Sequence, residues 1–199
     1  RGLGDVYKRQ GVDCASTTKA GWLVRAIAME NISARCDGSI LELPAGPHYR
    51  EEKEIKNVVT AIAKTCHYWD DHMPFSQQVA IRELFDQMNA ESPFVQLPVV
   101  GSASDADYRS ARSAMETSVQ ESTGLRAFNH QYFGWLGADC SGVPAAVWMM
   151  RALVACNVLS RREGTTLFVP VNPSDGRNAP AVVRAMASVF RLAGDRGVL

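Results

Sequence analysis

A long apolar helix constrains the fold of this chain more than any other part of its sequence. Residues 143–157 read V-P-A-A-V-W-M-M-R-A-L-V-A-C-N, about four helical turns with a single charge at Arg151. Apolar side chains on every face predict a helix that is buried all round. Pro144 fits its first turn, where a backbone N–H has no partner within the helix. We therefore expect this helix to lie in the core of its domain.

The segment before this helix contains the strongest candidate for a reactive side chain. A glycine-spaced aromatic loop leads into Asp139-Cys140-Ser141-Gly142. We expect Cys140 at or just before the N-terminus of the helix and, more narrowly, in its first turn. There the unpaired N–H groups and the positive end of the helix dipole favour a thiolate. We predict that its sulfur faces a cleft lined by Phe128, Tyr132 or Trp135, and that it is alkylated faster than the other cysteines.

The neighbourhood of Cys140 contains an ordered set of short segments. They are Gly124, Phe128, His130-Gln131, Gly134, Gly137, Asp139-Cys140-Ser141-Gly142 and Val147-Trp148. In this order they resemble the NlpC/P60 family of cell-wall cysteine peptidases, and its phage-type branch in particular. Ala193-Gly194-Asp195 is similar to the P-G-D of that family, which precedes the strand bearing the catalytic histidine. The resemblance covers about residues 104–199, and Phe128 stands where the family has a tyrosine.

The resemblance implies a fold and a reaction. The fold is α+β and mainly helical, with a papain-like half-domain over residues 101–199 and a small helical region of unknown role over residues 11–100. In the reaction, the Cys140 thiolate attacks an amide carbonyl of a peptidoglycan stem peptide, with Asp139 in support. A backbone N–H at the helix start stabilises the oxyanion by about 3–4 kcal/mol. The resemblance implies no cofactor and no metal.

The general base of this reaction is missing from the expected place. In the family a histidine follows the nucleophile, whereas His48, His67, His72 and His130 all precede Cys140. We therefore expect the sequence to stop at Leu199 just before the strand that bears the base. Two alternatives stay open. His48 would be the base if the domain were circularly permuted, and His130 would orient the site or bond to backbone as an ordinary loop histidine.

The first ten residues look foreign to the rest of the chain. Residues 5–10, D-V-Y-K-R-Q, read back into a DNA sequence that resembles the end of a transposon-based sequencing adaptor. The chain also begins without methionine. We expect residues 1–10 to be translated laboratory DNA, without regular structure and packed against nothing, and native sequence to begin near Gly11.

The run from Cys66 to His72, C-H-Y-W-D-D-H, raises the question of a metal site. On a helix His67 and Asp71 are i,i+4 neighbours, which is a spacing at which they would share a divalent ion. Met73-Pro74 predicts that the helix ends inside the run, so the sequence favours a polar helix terminus. We predict no metal ligand here.

Composition excludes several classes of partner. Hydrophobic residues make up 46% and charged residues 21% of the 199 residues, and the formal net charge is zero. Such a chain has a core to bury and no overall attraction to nucleic acid or to an anionic membrane. Its longest apolar run, Val143–Met150, is far shorter than the ~20 residues of a membrane span. Five cysteines without paired spacing favour reduced thiols and synthesis inside a cell over a disulfide framework.

Periodicity and turn residues divide the chain into elements. The most apolar connector, residues 92–104, predicts a domain boundary near residue 100. Helices are predicted at about 17–34, 50–68, 76–90, from 104, 143–157 and 178–192, and strands at 39–43 and 165–171. This helix-rich pattern also suits a rival of another class, namely a structural or binding module of a phage or a secretion apparatus in which Cys140 is merely packed.

Overall fold

The computed structural model describes residues 9–44, 56–91, 93–98, 105–130 and 132–199. Contacts between Cα atoms divide the chain into two compact units, Arg1–Pro93 and Phe94–Leu199. Each unit combines helices with one small antiparallel sheet, so the α+β, mainly helical class predicted from the sequence is confirmed for the described residues. Among the helices described, none is both long and apolar enough to cross a membrane.

The first unit packs helices with a three-stranded sheet. The strands are β1 (Arg9–Asp13), β2 (Arg35–Asp37) and β3 (Ile40–Pro44), and the helices are α1 (Thr17–Met29), α2 (Lys56–His67) and α3 (Phe75–Glu91). A π-helical turn, Tyr68–His72, continues α2. The sheet has the antiparallel order β1-β3-β2. Helix α1 supplies the apolar side of this unit, because Leu23, Val24 and Ile27 are fully buried at helical spacing.

The expectation for residues 1–10 is wrong at its last two positions. Arg9 and Gln10 belong to β1, where they pair with Pro44 and Leu43 of β3. The strand gains regular structure there because β3 offers an antiparallel partner with free backbone groups. Val6, Tyr7 and the rest of residues 1–8 lie outside the described residues.

The second unit packs three helices with a four-stranded sheet. Its strands are β4 (Ala127–Asn129), β5 (Trp135–Asp139), β6 (Arg161–Glu163) and β7 (Thr166–Pro170), and its helices are α4 (Ala106–Thr123), α5 (Val143–Ala155) and α6 (Asn178–Asp195). The sheet is antiparallel in the order β4-β5-β7-β6. Helix α5 contacts α6, and α4 also contacts α6. Met149, Met150 and Leu153 of α5 lie in the core. Val143, Pro144, Arg151 and Ala155 are exposed, so the expectation of a helix buried on every face is wrong.

The boundary between the units lies near the start of the predicted connector, residues 92–104. Val95 pairs with Val158 in a parallel bridge, and the N–H of Leu159 donates to the carbonyl of Val95 over 2.8 Å. The apolar segment from Phe94 to Pro98 therefore belongs to the second unit, and the division falls at 93/94 instead of near residue 100. Residues 99–104 lie outside the described residues.

Strand β5 replaces the loop that the sequence predicted before Cys140. Its glycine reflects a close approach, since a Cβ on Gly137 would lie 3.1 Å from the Phe128 ring and 3.3 Å from Cγ2 of Thr166. The two flanking strands are thus held tightly on either side of β5. Gly137 therefore lies at the crowded centre of a strand and not in a turn.

Three helices end in the same Schellman motif, which explains where they stop. In α1, the N–H of Ile32 donates to the carbonyl of Ile27, and that of Asn31 to Ala28. Asn31 has a left-handed φ of 65°, and asparagine tolerates this better than most residues. Asn157 after α5 and Gly197 after α6 have the equivalent bonds and conformation. Helix α1 therefore ends at Met29, short of the predicted end at residue 34.

The core of the second unit gives a stability prediction with a matched control. Leu153 on α5 is 0% exposed, whereas Leu192 on α6 is 45% exposed. Leu153→Ala should lower the free energy of unfolding by about 2–5 kcal/mol, because it removes apolar contacts and leaves a cavity. Urea unfolding followed by circular dichroism measures the change.

Leu192→Ala is the control and should change the same free energy by about 0.5 kcal/mol or less, since its side chain stays largely in water. Equal losses from the two substitutions would contradict the packing described for α5.

Candidate functional site

Cys140 lies at the end of a strand, not in the first turn of a helix. It follows β5 directly, and the N-cap of α5 is Gly142, two residues further along. The N–H of Cys140 donates to the carbonyl of Thr165 over 3.0 Å, and the N–H of Asp139 donates to Arg126. The sheet therefore uses the backbone of Cys140, and the sequence expectation of a first-turn position is wrong.

The environment of Cys140 favours the neutral thiol. Its side chain is only 8% exposed and belongs to the apolar core of the second unit. Burial and the neighbouring charge of Asp139 raise the pKa of Cys140 to about 11. Charges at a helix terminus contribute about 0.3–1 kcal/mol and only within the first turn, so the helix dipole does not offset desolvation two residues before the cap. The expected thiolate is therefore a neutral thiol in this chain.

Alternation along β5 separates Cys140 from the expected cleft. Leu136, Ala138 and Cys140 are members of the apolar core, which includes α5 and α6 residues. Side chains of adjacent strand residues point to opposite faces, so Trp135 points away from that core. Trp135 is itself fully buried and packs edge-on to Phe168, with ring centroids 6.5 Å apart. A cleft shared by Cys140 and Trp135 is excluded by this arrangement.

The other predicted cleft residues belong to the Trp135 face. The Phe128 ring packs over Gly137, which shares its face with Trp135. Tyr132 packs edge-on to Phe168, with centroids 5.7 Å apart. These side chains form an aromatic cluster on the sheet face opposite Cys140, so the predicted lining of a Cys140 cleft is wrong.

His130 belongs to the same aromatic cluster and is distant from Cys140. Strand β4 pairs with β5 so that Asn129 faces Leu136, which puts His130 beside the start of β5. Cys140 lies five residues further along, or about 17 Å at the rise of an antiparallel strand. The His130 ring packs against Tyr132 and Phe168 at 4.5 and 5.1 Å between centroids. It therefore does not serve Cys140 as a base.

The alternative of a loop histidine bonded to backbone finds no support either. Nδ1 of His130 is buried and has no hydrogen-bond partner among the described residues. Stacking against aromatic rings is what fixes this side chain. His48, the second alternative base, lies outside the described residues.

Asp139 connects two strands at the surface. Its Oδ1 accepts a hydrogen bond from Thr166 Oγ1 over 3.1 Å, and its Oδ2 lies 3.8 Å from the guanidinium of Arg126. Because Asp139 pairs with Thr166 in the β5–β7 register, the side-chain bond reinforces that register. Its chemical effect on Cys140 is unfavourable for a nucleophile, since the negative charge disfavours a thiolate.

A polar cluster that sequence reasoning missed lies beside the aromatic rings. The hydroxyl of Tyr132 donates to the carboxylate of Glu163 over 3.0 Å, and Arg161 pairs with the same carboxylate. Burial alone raises the pKa of Glu163, but the charge and hydrogen bond of Arg161 and the Tyr132 hydroxyl outweigh it and lower that pKa. The pairing of β6 with β7 and of β7 with β5 brings together Glu163 and Tyr132, which are 31 residues apart in sequence. No local sequence pattern therefore predicts this cluster.

In the described part of the chain, no group of three or more histidine, cysteine, aspartate and glutamate side chains is arranged to hold a metal ion. His67 and Asp71, the pair considered from the sequence, hydrogen-bond to each other over 2.6 Å between Nδ1 and Oδ2. Asp71 therefore faces Nδ1 of His67 as a hydrogen-bond partner.

No family model and no curated protein matches this chain. A solved structure, the serine palmitoyltransferase of Sphingomonas wittichii, is similar over 79% of this chain and 37% of its own, with 10% sequence identity and a TM-score of 0.36. The chain thus spans little more than a third of that enzyme's length. A likeness at this level carries no argument about fold or activity.

The pKa of Cys140 gives a reactivity prediction that reverses the one from the sequence. Iodoacetamide should alkylate Cys140 more slowly than Cys156, which is solvent-exposed at the end of α5. The rate at Cys140 should rise about tenfold with each pH unit up to a pH of about 11, because only the thiolate reacts. Peptide mass spectrometry after timed quenching measures both rates.

In urea the difference should disappear, because unfolding exposes both thiols to water. Faster labelling of Cys140 than of Cys156 in the folded chain at neutral pH would contradict the buried, neutral thiol.

Proposed function

We propose that the protein to which this chain belongs is a cysteine peptidase or amidase that acts on peptidoglycan stem peptides, with Cys140 as nucleophile. The observation that carries the proposal is the position of Asp139-Cys140-Ser141-Gly142 at the junction of a sheet strand and a buried helix. Motif followed by helix is the order that the NlpC/P60 resemblance implies. The papain-like character of residues 101–199 is part of the same proposal.

The raised pKa of Cys140 defines what activation requires. At a pKa of about 11, only about one thiol in ten thousand is ionised at neutral pH. A neighbouring imidazolium is the usual means of lowering a cysteine pKa in such enzymes. His130 is on the opposite sheet face, so the proposed base is another residue. The family order implies a histidine after the nucleophile, and the alternative base His48 lies outside the described residues.

The oxyanion of the proposed reaction would be stabilised by backbone N–H groups other than that of Cys140. The N–H of Cys140 is already donated to Thr165. The N–H groups in the first turn of α5 have no partners within the helix. Pro144, the second residue of α5, has no N–H group at all. We therefore assign the oxyanion contact to the N–H group of Val143 at the start of α5, worth about 3 kcal/mol in the transition state.

A second candidate function is a non-catalytic structural or binding module. Three observations favour it: Cys140 is buried in the apolar core, its N–H is engaged by Thr165, and the aromatic cluster lies on the other face of the sheet. On this alternative Cys140 acts as a small apolar side chain, which is the commonest role of a free cysteine.

Release of stem-peptide fragments from purified peptidoglycan distinguishes the two candidates. We expect no release by residues 1–199, because loss of general acid–base assistance costs about 10²–10⁴ in rate. A protein extended beyond Leu199 along its native reading frame should release fragments, and Cys140→Ala in that extended protein should abolish release. Chromatography with mass spectrometry identifies the fragments.

Cys156→Ala in the extended protein is the matched control, since it removes an exposed thiol at the other end of the same helix. It should leave the rate of release unchanged. If neither the extended protein nor its variants released any fragment, the non-catalytic module would replace the peptidase as the better account.

A further inference from the structure

The π-helical turn after α2 brings two histidines together. In an α-helix, residues five apart point about 140° away from each other, so His67 and His72 would lie on different faces. The wider turn at Tyr68–His72 places their Nε2 atoms 3.1 Å apart. Their rings meet edge to face, with centroids 4.7 Å apart. Single π-helical turns occur often at functional sites.

Asp71 fixes which nitrogen of His67 is available. Its Oδ2 lies 2.6 Å from Nδ1 of His67, and because a carboxylate only accepts, Nδ1 must donate. In the neutral ring the lone pair is then on Nε2, the atom that meets His72. When one nitrogen of a histidine ring binds a metal ion, the other ring nitrogen usually donates a hydrogen bond to a carboxylate or a carbonyl.

The turn that holds these side chains is anchored at several points. Lys19 of α1 bonds both carboxylate oxygens of Asp70 over 2.7 Å, so Asp70 is engaged and Asp71 is left for His67. Gln78 of α3 donates to the carbonyls of Trp69 and Met73 over 3.1 Å each. The pair of histidines therefore lies on a fixed backbone and not on a frayed helix end.

The distance between the two nitrogens suits a common metal ion. Histidine nitrogens bind zinc at about 2.0–2.1 Å, and two such bonds with their nitrogens 3.1 Å apart enclose an angle of about 100° at the ion. This angle lies between those of square-planar and tetrahedral coordination. Imidazole is a ligand for zinc, nickel and copper alike.

We propose that His67 and His72 form a binding site for a late divalent transition-metal ion, with Asp71 as the carboxylate that orients His67. No larger cluster of ligating side chains exists in the described residues, so the remaining coordination positions are open to water or to a ligand. Both histidines line a cleft of about 870 Å³ between α1 and α2, which Trp22, Met29 and other apolar side chains also line. Glu30, Lys56 and Lys64 line the same cleft, so the open positions adjoin walls of both apolar and charged side chains.

Calorimetric titration with nickel chloride tests the site, on the whole chain without an affinity tag and with Cys156→Ser to remove an exposed thiol. We expect one Ni²⁺ per chain. Asp71→Ala should weaken it about 10–100-fold, as loss of an orienting partner does, and His67→Ala or His72→Ala should weaken it at least as much. His67 and Asp71 are 62% and 61% exposed, so these variants should fold, which far-ultraviolet circular dichroism checks.

His130→Ala is the control and should leave the affinity unchanged. In proton spectra of the unsubstituted chain, paramagnetic Ni²⁺ should broaden the ring signals of His67 and His72 before those of His130. A plain hydrogen bond between two neutral imidazoles is the rival explanation of the 3.1 Å distance. Nickel affinity that is unchanged in the His67→Ala, His72→Ala double variant, or equal broadening of all histidine signals, would overturn the proposal.

Discussion

The alternation of side chains along β5 decides what this chain can do with its cysteine. Leu136, Ala138 and Cys140 point into the helix-covered core, while Trp135 and Gly137 point to the aromatic face. Since the side-chain period of a strand is two, the two sets cannot be exchanged without shifting the register and burying the wrong side chains. The thiol is thus committed to the core by the same pattern that builds the sheet, and any catalytic role requires a partner that reaches it there.

The sequence predicted the long helices and failed mainly at strands. Helix α5 was evident because all its faces are apolar, and Asn178 and Pro180 marked the start of α6 correctly. Strand β5 was hidden because its glycine looked like loop punctuation, whereas the crowding that requires glycine comes from Phe128 and Thr166 on two other strands. Short strands such as β2, β4 and β6 have three residues each, which is too few for any period to show.

Some properties of the candidate site follow from local sequence, and others depend on residues that are distant in sequence. The position of Cys140 near a helix start followed from the order of residues, but its pKa did not, because desolvation depends on which residues cover the thiol. Likewise His130 appeared close to Cys140 in sequence, and only the antiparallel register of β4 and β5 puts them at opposite ends of a hairpin. Two residues that are close in sequence can therefore lie far apart in space when a pair of strands separates them.

The wide turn after α2 has a consequence for how its side chains communicate. A residue on an α-helix meets partners at three and four positions along, whereas His67 meets Asp71 and His72, at four and five. The carbonyls of Trp69 and Met73 accept hydrogen bonds from the side chain of Gln78 on α3. The spacing of the histidine pair is therefore set in part by α3, so a movement of α3 that withdrew Gln78 would let the turn tighten and draw the two rings apart, with no change at either histidine.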